Sequence, residues 1–550
     1  MSWRTAGPAL LLLFVTPRGA AAQALPDTTA RAVDHLFEPW SGTDTPGCAV
    51  GVSRGGTIVY ERGFGMANLE TGTPIGPGTI FHAASLAKQV TAMAVLMLAR
   101  EGRLSLDDDV RRYLPEVPDY GQPITVRHLL THTSGLRDYF ELLILARGRF
   151  EENRITDADM LDAVSRQRAP NFAPGAEFGY SNTGYALAEV LVRRVSGRSL
   201  RDYAAERIFA PLGMSHTHFH DDFTMLVPGR AWGYARTGTG WRSSAPNYDV
   251  YGATSLFTTV GDLLAWSANL DRPRVGDTAM VRTMSTSATL TNGDSTSYGM
   301  GLSLWTDHGE RVVEHEGGDP GFRSYLGRWP GRRLAVAVLC NHRSVNSVAL
   351  GHQVAARVLG FAPEAPPAVP ARAAADPRVL QRRAGIYFQP ARQEVVELTV
   401  RDGRLFTARN GGNELIPVDG NRFTVAGRPV EHVFESGEHS DYVASSPGYH
   451  PVRFEWKAPF PMRPGALLPY AGAYYSPELD ATYTVTAATD STLLLKTGTS
   501  AGMTARPVFA DAFVPGQYTI LFTRGGRRVT GFHISHPRAR RIVFERVRER

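Results

Sequence analysis

The sequence predicts an α/β (α+β) first domain built on one sheet, followed by C-terminal all-β barrel-like modules. Three observations carry this reading. Strand patterns at 47–69 and 298–341 stand at the two ends of residues 27–361 with a helical stretch between them, so one sheet draws strands from both ends and a helical subdomain is inserted. Residues 85–101 are apolar nearly all round, the pattern of a buried helix. Beyond residue 377 the periodicity changes to short alternating strands broken by glycine turns.

Taken in order, residues 1–24 read as an export signal. Arg4 lies near the start, an apolar core runs from Ala9 to Val15, and the small residues Gly19-Ala20-Ala21-Ala22 suit cleavage. The apolar run falls far short of the roughly 20 residues that span a bilayer. A periplasmic or extracellular protein with no stable membrane span is expected.

Residues 27–361 form the first domain. Cys48 opens one strand and Cys340 closes another, so antiparallel pairing of these strands brings the thiols near each other; a disulfide and two small buried hydrophobes both remain open. Residues 362–377 are rich in proline and alanine and read as a stiff linker. Two modules follow, 378–460 and 461–550. Ala384-Gly385-Ile386-Tyr387 recurs as Ala471-Gly472-Ala473-Tyr474, Pro417 with Phe423 recurs as Pro507 with Phe513, and Val433-Phe434 as Leu521-Phe522. Such strands suit antiparallel barrels or sandwiches with the aromatic residues as core.

At 550 residues, 43% of them hydrophobic, the chain has material for two or three cores. The formal charge is +6, and Arg4 and Arg18 fall within the signal, leaving 6 − 2 = +4 without it. That bias is too small to argue for nucleic acid, and no like-charge run suggests a binding tail. Of 59 basic residues only Lys88, Lys457 and Lys496 are lysine. Lysine can lose its proton when buried whereas arginine cannot, so each lysine is a candidate base.

Lys88 falls in Phe81-His82-Ala83-Ala84-Ser85-Leu86-Ala87-Lys88, at the start of the buried helix. Positions i and i+3 share a helix face with Cβ atoms ~5–6 Å apart, so Ser85 and Lys88 can meet. A desolvated amine can take the proton of a serine hydroxyl, and a serine at the positive end of a helix can offer its own N–H to an oxyanion. The plainer alternative for this pattern is an N-cap serine and a solvated lysine.

The ordered set Ser85-x-x-Lys88, Leu129-Leu130-Thr131-His132-Thr133-Ser134-Gly135-Leu136, Tyr180-Ser181-Asn182 and His315-Glu316-Gly317-Gly318 resembles the motifs of penicillin-recognising serine hydrolases. The nearest branch is that of class C β-lactamases, D-alanyl-D-alanine carboxypeptidases, D-aminopeptidases and related esterases, and the resemblance spans residues 47–359. It implies a β-lactamase-like domain, an antiparallel sheet with helices on both faces plus a helical subdomain. It also implies Ser85 as acylated nucleophile, Lys88 as the group that keeps it deprotonatable, and Tyr180 as general base, its phenolate stabilised by Lys88 and His315. Asn182, His315 and Gly317 are the implied substrate-binding residues, and the N–H groups of Ser85 and Gly318 the oxyanion hole. His132 resembles a structural histidine of the group. No cofactor and no metal is expected. The expected partner is a small-molecule or peptide substrate, cell-wall-derived peptides included, with the oligomeric state left open.

Other motifs compete less well. Lys496-Thr497-Gly498 lies in the second β module, and the Gly-x-Ser-x-Gly stretches at Gly51 and Gly498 lack the strand-to-helix turn that this signature requires. His216, His218 and His220 with Asp221 and Asp222 alternate as metal ligands can, but read as a surface loop. Within the resemblance, Glu316 stands where threonine or glycine is usual, and Asn346-Ser347-Val348-Ala349 keeps an asparagine but lacks the arginine of the lactamases. Both changes disfavour a substrate that depends on a free carboxylate. The expected activity is that of an exported serine hydrolase working through an acyl-enzyme on an ester, an amide or a D-amino-acid-containing peptide. The alternatives are a true β-lactamase or D-Ala-D-Ala carboxypeptidase, and a non-catalytic binding scaffold of the same fold.

Overall fold

A computed structural model describes residues 24–148, 154–361, 376–408, 412–425, 428–446, 449–498 and 500–547. The expected signal at 1–24 and linker at 362–377 lie almost wholly outside the described residues. The first domain contains helix α1 (Asp27–Phe37), strands β1 (Cys48–Arg54), β2 (Thr57–Phe64) and β3 (Phe81–His82), and helices α2 (Ala87–Arg100) and α3 (Asn182–Ser196). After further short elements come β4 (Leu256–Thr258), α4 (Val260–Asp271), β5 (Ser303–Asp307), β6 (Glu310–Asp319), β7 (Phe322–Trp329), β8 (Leu334–Cys340) and α5 (Ser347–Leu359).

The main sheet is antiparallel in the order β5-β6-β7-β8-β1-β2, so strands from the two ends of the domain meet at β8 and β1. Cys48 stands opposite Cys340 in that register and the two form a disulfide. Side chains alternate across the central strands. Val50, Val52, Val336 and Val338 pack with α1 and α5, whereas Ala49, Ala335, Ala337 and Leu339 face the larger core that holds α2 and α4. The small residues let α4 approach closely: a Cβ on Gly51 would lie 3.0 Å from Leu264 and 3.2 Å from Val260. Helices therefore cover both faces, and the helical subdomain packs over α2 through α3.

Beyond the first domain stand two closed antiparallel barrels of eight strands each, Gly385–Lys457 and Gly472–Arg546. The sequence repeat is also a structural one. Pro417 faces Phe423 across two strands of one barrel, as Pro507 faces Phe513 in the other. The Tyr387 hydroxyl donates to the Arg383 carbonyl at 3.0 Å, as that of Tyr474 donates to Tyr470 at 2.8 Å.

The barrels attach differently. The core of the first is a cluster of its own, whereas Leu467, Tyr470, Tyr483 and their neighbours belong to the same contiguous buried cluster as the first domain. Arg137 and Glu478, both fully buried, pair at 2.5 Å across this junction, and the Tyr483 hydroxyl donates to the Leu145 carbonyl at 2.6 Å. No helix among the described residues is long and apolar enough to cross a membrane.

Candidate active site

The site is assembled where the chain leaves β3 and enters α2. The Ala83 N–H donates to the Leu256 carbonyl of β4 at 2.7 Å, and the Ala83 carbonyl accepts the Ser324 hydroxyl of β7 at 2.7 Å. The Ala84 N–H donates to His82 Nδ1 at 3.1 Å. Ala84 is thereby fixed at φ +48°, a left-handed conformation that costs an alanine about 1–2 kcal/mol. The predicted helix at 85–101 consequently starts later: Ala84–Leu86 form a 3₁₀ turn, and α2 runs from Ala87. Ser85 sits on that turn, half-buried, while Lys88 one turn on is completely buried.

Lys88 Nζ makes three hydrogen bonds, to Ser85 Oγ at 3.0 Å, Asn182 Oδ1 at 2.9 Å and the Ala253 carbonyl at 2.6 Å. Burial lowers its pKa from the ordinary 10.5 to about 7; Asp319 and Asp138 oppose the fall and Arg538 assists it. Asp138 Oδ2 accepts both the backbone N–H of Asn182 at 2.8 Å and its Nδ2 at 3.0 Å. The amide is thus turned with its oxygen toward Lys88, and one Nδ2 proton is left for another acceptor.

Tyr180 neighbours Ser85, whose hydroxyl favours its ionised form. Its ring is 4.9 Å from Lys88 Nζ on one side and 5.1 Å from the Arg538 guanidinium. Burial still raises the phenol, and the Ser85 hydroxyl and Arg538 offset this only partly, so the surroundings favour the phenol over the phenolate. His132 braces it from behind, with its Nδ1 accepting the Ser181 N–H at 3.2 Å and its ring 4.2 Å from that of Tyr180.

His315 also differs from its expected part. Its Nδ1 donates to the Glu316 carbonyl at 2.6 Å, which leaves Nε2 to accept the Tyr298 hydroxyl at 2.9 Å. Burial, then the nearby Lys88, lowers its pKa to about 3. A neutral ring with both nitrogens engaged supplies no cation to Tyr180 and has no spare donor for a substrate; it positions β6.

Gly317 lies against the turn, where a Cβ would fall 2.5 Å from the Ala83 carbonyl and 2.2 Å from Ser324 Oγ. Only glycine allows β6 to approach so closely. Gly318 follows it, exposed. Partner strand β5 begins opposite Glu314 and runs away from the site, so among the described residues the 315–319 edge of β6 faces the Ala84–Leu86 turn rather than another strand. Glu316 is exposed and borders a groove with Asn346 and His352 of the α5 side. Asn346 Oδ1 is already taken by the Ala349 N–H at 3.0 Å.

Three contributors were not found from the sequence. Asp138 lies two residues past the second motif and Asp319 follows the fourth, so their positions were visible but their partners were not. Arg538 comes from the last hairpin of the second barrel, where nothing local marks it. Its carbonyl accepts the Asp138 N–H at 2.9 Å and Asn171 Nδ2 at 3.0 Å. Of the histidine and aspartate run, His218 Nε2 and His220 Nδ1 are 3.4 Å apart, while Asp221 pairs with Arg201. Among the described residues no cluster of three or more His, Cys, Asp or Glu is placed to hold a metal ion.

The beta-lactamase family model matches residues 30–359. A D-aminopeptidase of Gluconobacter oxydans is 27% identical over 526 residues, covering 91% of this chain and 96% of that protein. Penicillin-binding protein 4* of Bacillus subtilis is 29% identical over 411 residues, covering 70% and 89%. Among solved structures, the octameric penicillin-binding protein homologue from Pyrococcus abyssi superposes with a TM-score of 0.55 at 25% identity, over 78% of this chain and 100% of that one. Motifs, fold and family match agree, and this chain belongs to the beta-lactamase family of serine hydrolases.

Proposed function

We propose that the protein hydrolyses an amide, peptide or ester bond through an acyl-enzyme on Ser85, with D-amino-acid amides and peptides foremost, and that it works after export. The observation that carries this is the fully buried Lys88 amine, 3.0 Å from Ser85 Oγ and with a pKa of about 7. A substantial fraction of it is neutral near pH 7 and can take the Ser85 proton as Oγ attacks the carbonyl carbon. The N–H groups of Ser85 and Gly318 receive the oxyanion. Tyr180, protonated and beside both Ser85 and the Lys88 amine, gives its proton to the departing amine or alkoxide and regains one from the Lys88 ammonium. Water then repeats the sequence in reverse to free Ser85.

The substrate class draws support from the Gluconobacter oxydans D-aminopeptidase, whose similarity covers 91% of this chain. The β-lactamase and carboxypeptidase alternatives are disfavoured by Glu316 and by Ala349 standing where an arginine would meet a carboxylate. Export draws support from the Cys48–Cys340 disulfide, a bond that persists in oxidising compartments.

The test is a panel of D- and L-aminoacyl p-nitroanilides, simple esters and penicillins, together with a fluorophosphonate and mass mapping of the adduct. Adduct on Ser85 and faster turnover of D-aminoacyl amides than of penicillins is the expected result. Folded protein that takes no label at Ser85, or that favours benzylpenicillin, would overturn the reading. A mature N-terminus near residue 24 in a periplasmic or culture fraction checks export.

A further inference from the structure

A cavity of about 240 Å³ lies beside the nucleophile turn, walled by the rings of Trp232, Tyr248, Phe257 and Phe322. Two polar groups on its wall have donors that the acylation chemistry does not use. His82, 2% exposed, accepts the Ala84 N–H on Nδ1, so its proton is on Nε2, and that buried nitrogen has no hydrogen-bond partner among the described residues. Asp319 stands 3.7 Å from Nδ1, too far for a hydrogen bond, and burial keeps the ring neutral. The second group is Arg230. Its guanidinium rests 4.6 Å from the centroid of the Trp232 ring, and among the described residues no carboxylate pairs with it.

His82 Nε2 is a buried donor without an acceptor, which native interiors rarely leave unmatched, and the partly exposed Arg230 adds a cation with no carboxylate partner on the same wall. The flanking rings favour a flat partner, which offset or edge contacts would hold. The volume is below the ~300–1,000 Å³ of pockets that take drug-sized molecules. We propose that this cavity is a binding site for a small aromatic carboxylate, whose oxygens pair with Arg230 and His82 Nε2–H while its ring lies among Trp232, Phe257 and Phe322. The site is distinct from the acylation chemistry and does not depend on the substrate assigned to Ser85.

The experiment uses full-length Ser85→Ala protein, so that no turnover intervenes, with sodium benzoate as the probe in calorimetry and in tryptophan fluorescence. One saturable site is expected, with neutral benzyl alcohol about tenfold weaker or more, the difference that one charge-assisted hydrogen bond makes. Arg230→Gln and His82→Phe should each weaken benzoate by about tenfold and leave benzyl alcohol unchanged. Arg230 is only partly buried, so its variant retains the fold and keeps the test decisive if His82→Phe does not. The proposal is overturned if benzoate shows no saturable binding, if folded Arg230→Gln binds it as before, or if Arg538→Gln abolishes binding, which would place benzoate in the catalytic cleft.

Discussion

The guanidinium of Arg538 lies 5.1 Å from the centroid of the Tyr180 ring, and the carbonyl of the same residue accepts the Asp138 N–H. The second barrel thus forms part of the active-site wall. Arg538 favours the phenolate of Tyr180 and disfavours the ammonium of Lys88. Arg538→Gln should lower kcat/KM by about 2- to 30-fold, the range of a cation resting on an aromatic ring. It should also move the acidic limb of the pH–rate profile to higher pH, because Lys88 loses a repelling charge. The side chain is exposed, so the melting temperature should change little.

Lys88→Met and Lys88→Arg should both lose acylation by roughly 10²- to 10⁴-fold, the usual worth of a positioned base. Methionine has no proton acceptor at that site, and guanidinium does not release its proton. Fluorophosphonate labelling rates give the loss, and circular dichroism shows whether the fold is kept. An active Lys88→Arg enzyme would mean that a different group deprotonates Ser85.

The same lysine makes two pH dependences. Acylation needs the neutral amine, so kcat/KM should rise with pH through about 7. For stability, the folded-state pKa is depressed below the ordinary 10.5, so between about 7 and 10.5 the unfolded chain binds more protons than the folded one. The contribution of Lys88 to stability therefore rises with pH across that window, and the full cost of burying its charge is felt below it. Thermal melts of wild type and Lys88→Met should differ most at pH 6 and converge toward pH 10; a pH-independent difference would contradict the depressed pKa.

The Arg137–Glu478 pair couples the second barrel to the helical subdomain. Glu478 Oε1 also accepts the Arg168 N–H at 3.1 Å and Oε2 the Val543 N–H at 3.2 Å, so Glu478 is held from both sides of the junction. Glu478→Gln leaves Arg137 charged and buried and should destabilise the protein by about 3–5 kcal/mol, read in chemical denaturation. Ending the chain before residue 362 removes the same partner, so the truncated domain should melt well below the whole protein.

Gly317→Ala tests the contact between β6 and the nucleophile turn. Its Cβ would meet backbone, the Ala83 carbonyl, at 2.5 Å, so either β6 or the Ala83–Ser85 turn must move. A shift there misplaces Ser85 against Lys88, and acylation should fall about 10²-fold, the cost of roughly an ångström of misplacement. Unchanged labelling kinetics would show that the turn tolerates displacement.

The order of elements was legible from the sequence because it rests on local pattern. Alternating Ala and Val at Ala335, Val336, Ala337 and Val338 mark a strand, the apolar run after Ser85 marks a buried helix, and the repeat around Tyr387 and Tyr474 marks two equivalent β modules. Ser85 and Lys88 were legible from helical spacing, and Tyr180 and Asn182 from the resemblance to a known family; in the structure Ser85 Oγ and Asn182 Oδ1 accept from the Lys88 amine, with the Tyr180 ring beside it. The protonation states were not legible. Whether Tyr180 is a phenol or a phenolate, and whether His315 carries a charge, depends on burial and on neighbours such as Tyr298 that lie on other elements.

The sequence by itself determined which residues are available to do chemistry, because a Ser-x-x-Lys pattern needs only one helical turn to bring its members together. Tertiary structure alone decided that Cys48 and Cys340 bond, that Ala84 is held in a left-handed turn by His82 and Leu256, and that Arg538 reaches Tyr180. Those relationships run through strand register and the docking of the second barrel onto the first domain. They arise from packing between elements far apart in the chain, where spacing along the sequence carries no information about distance.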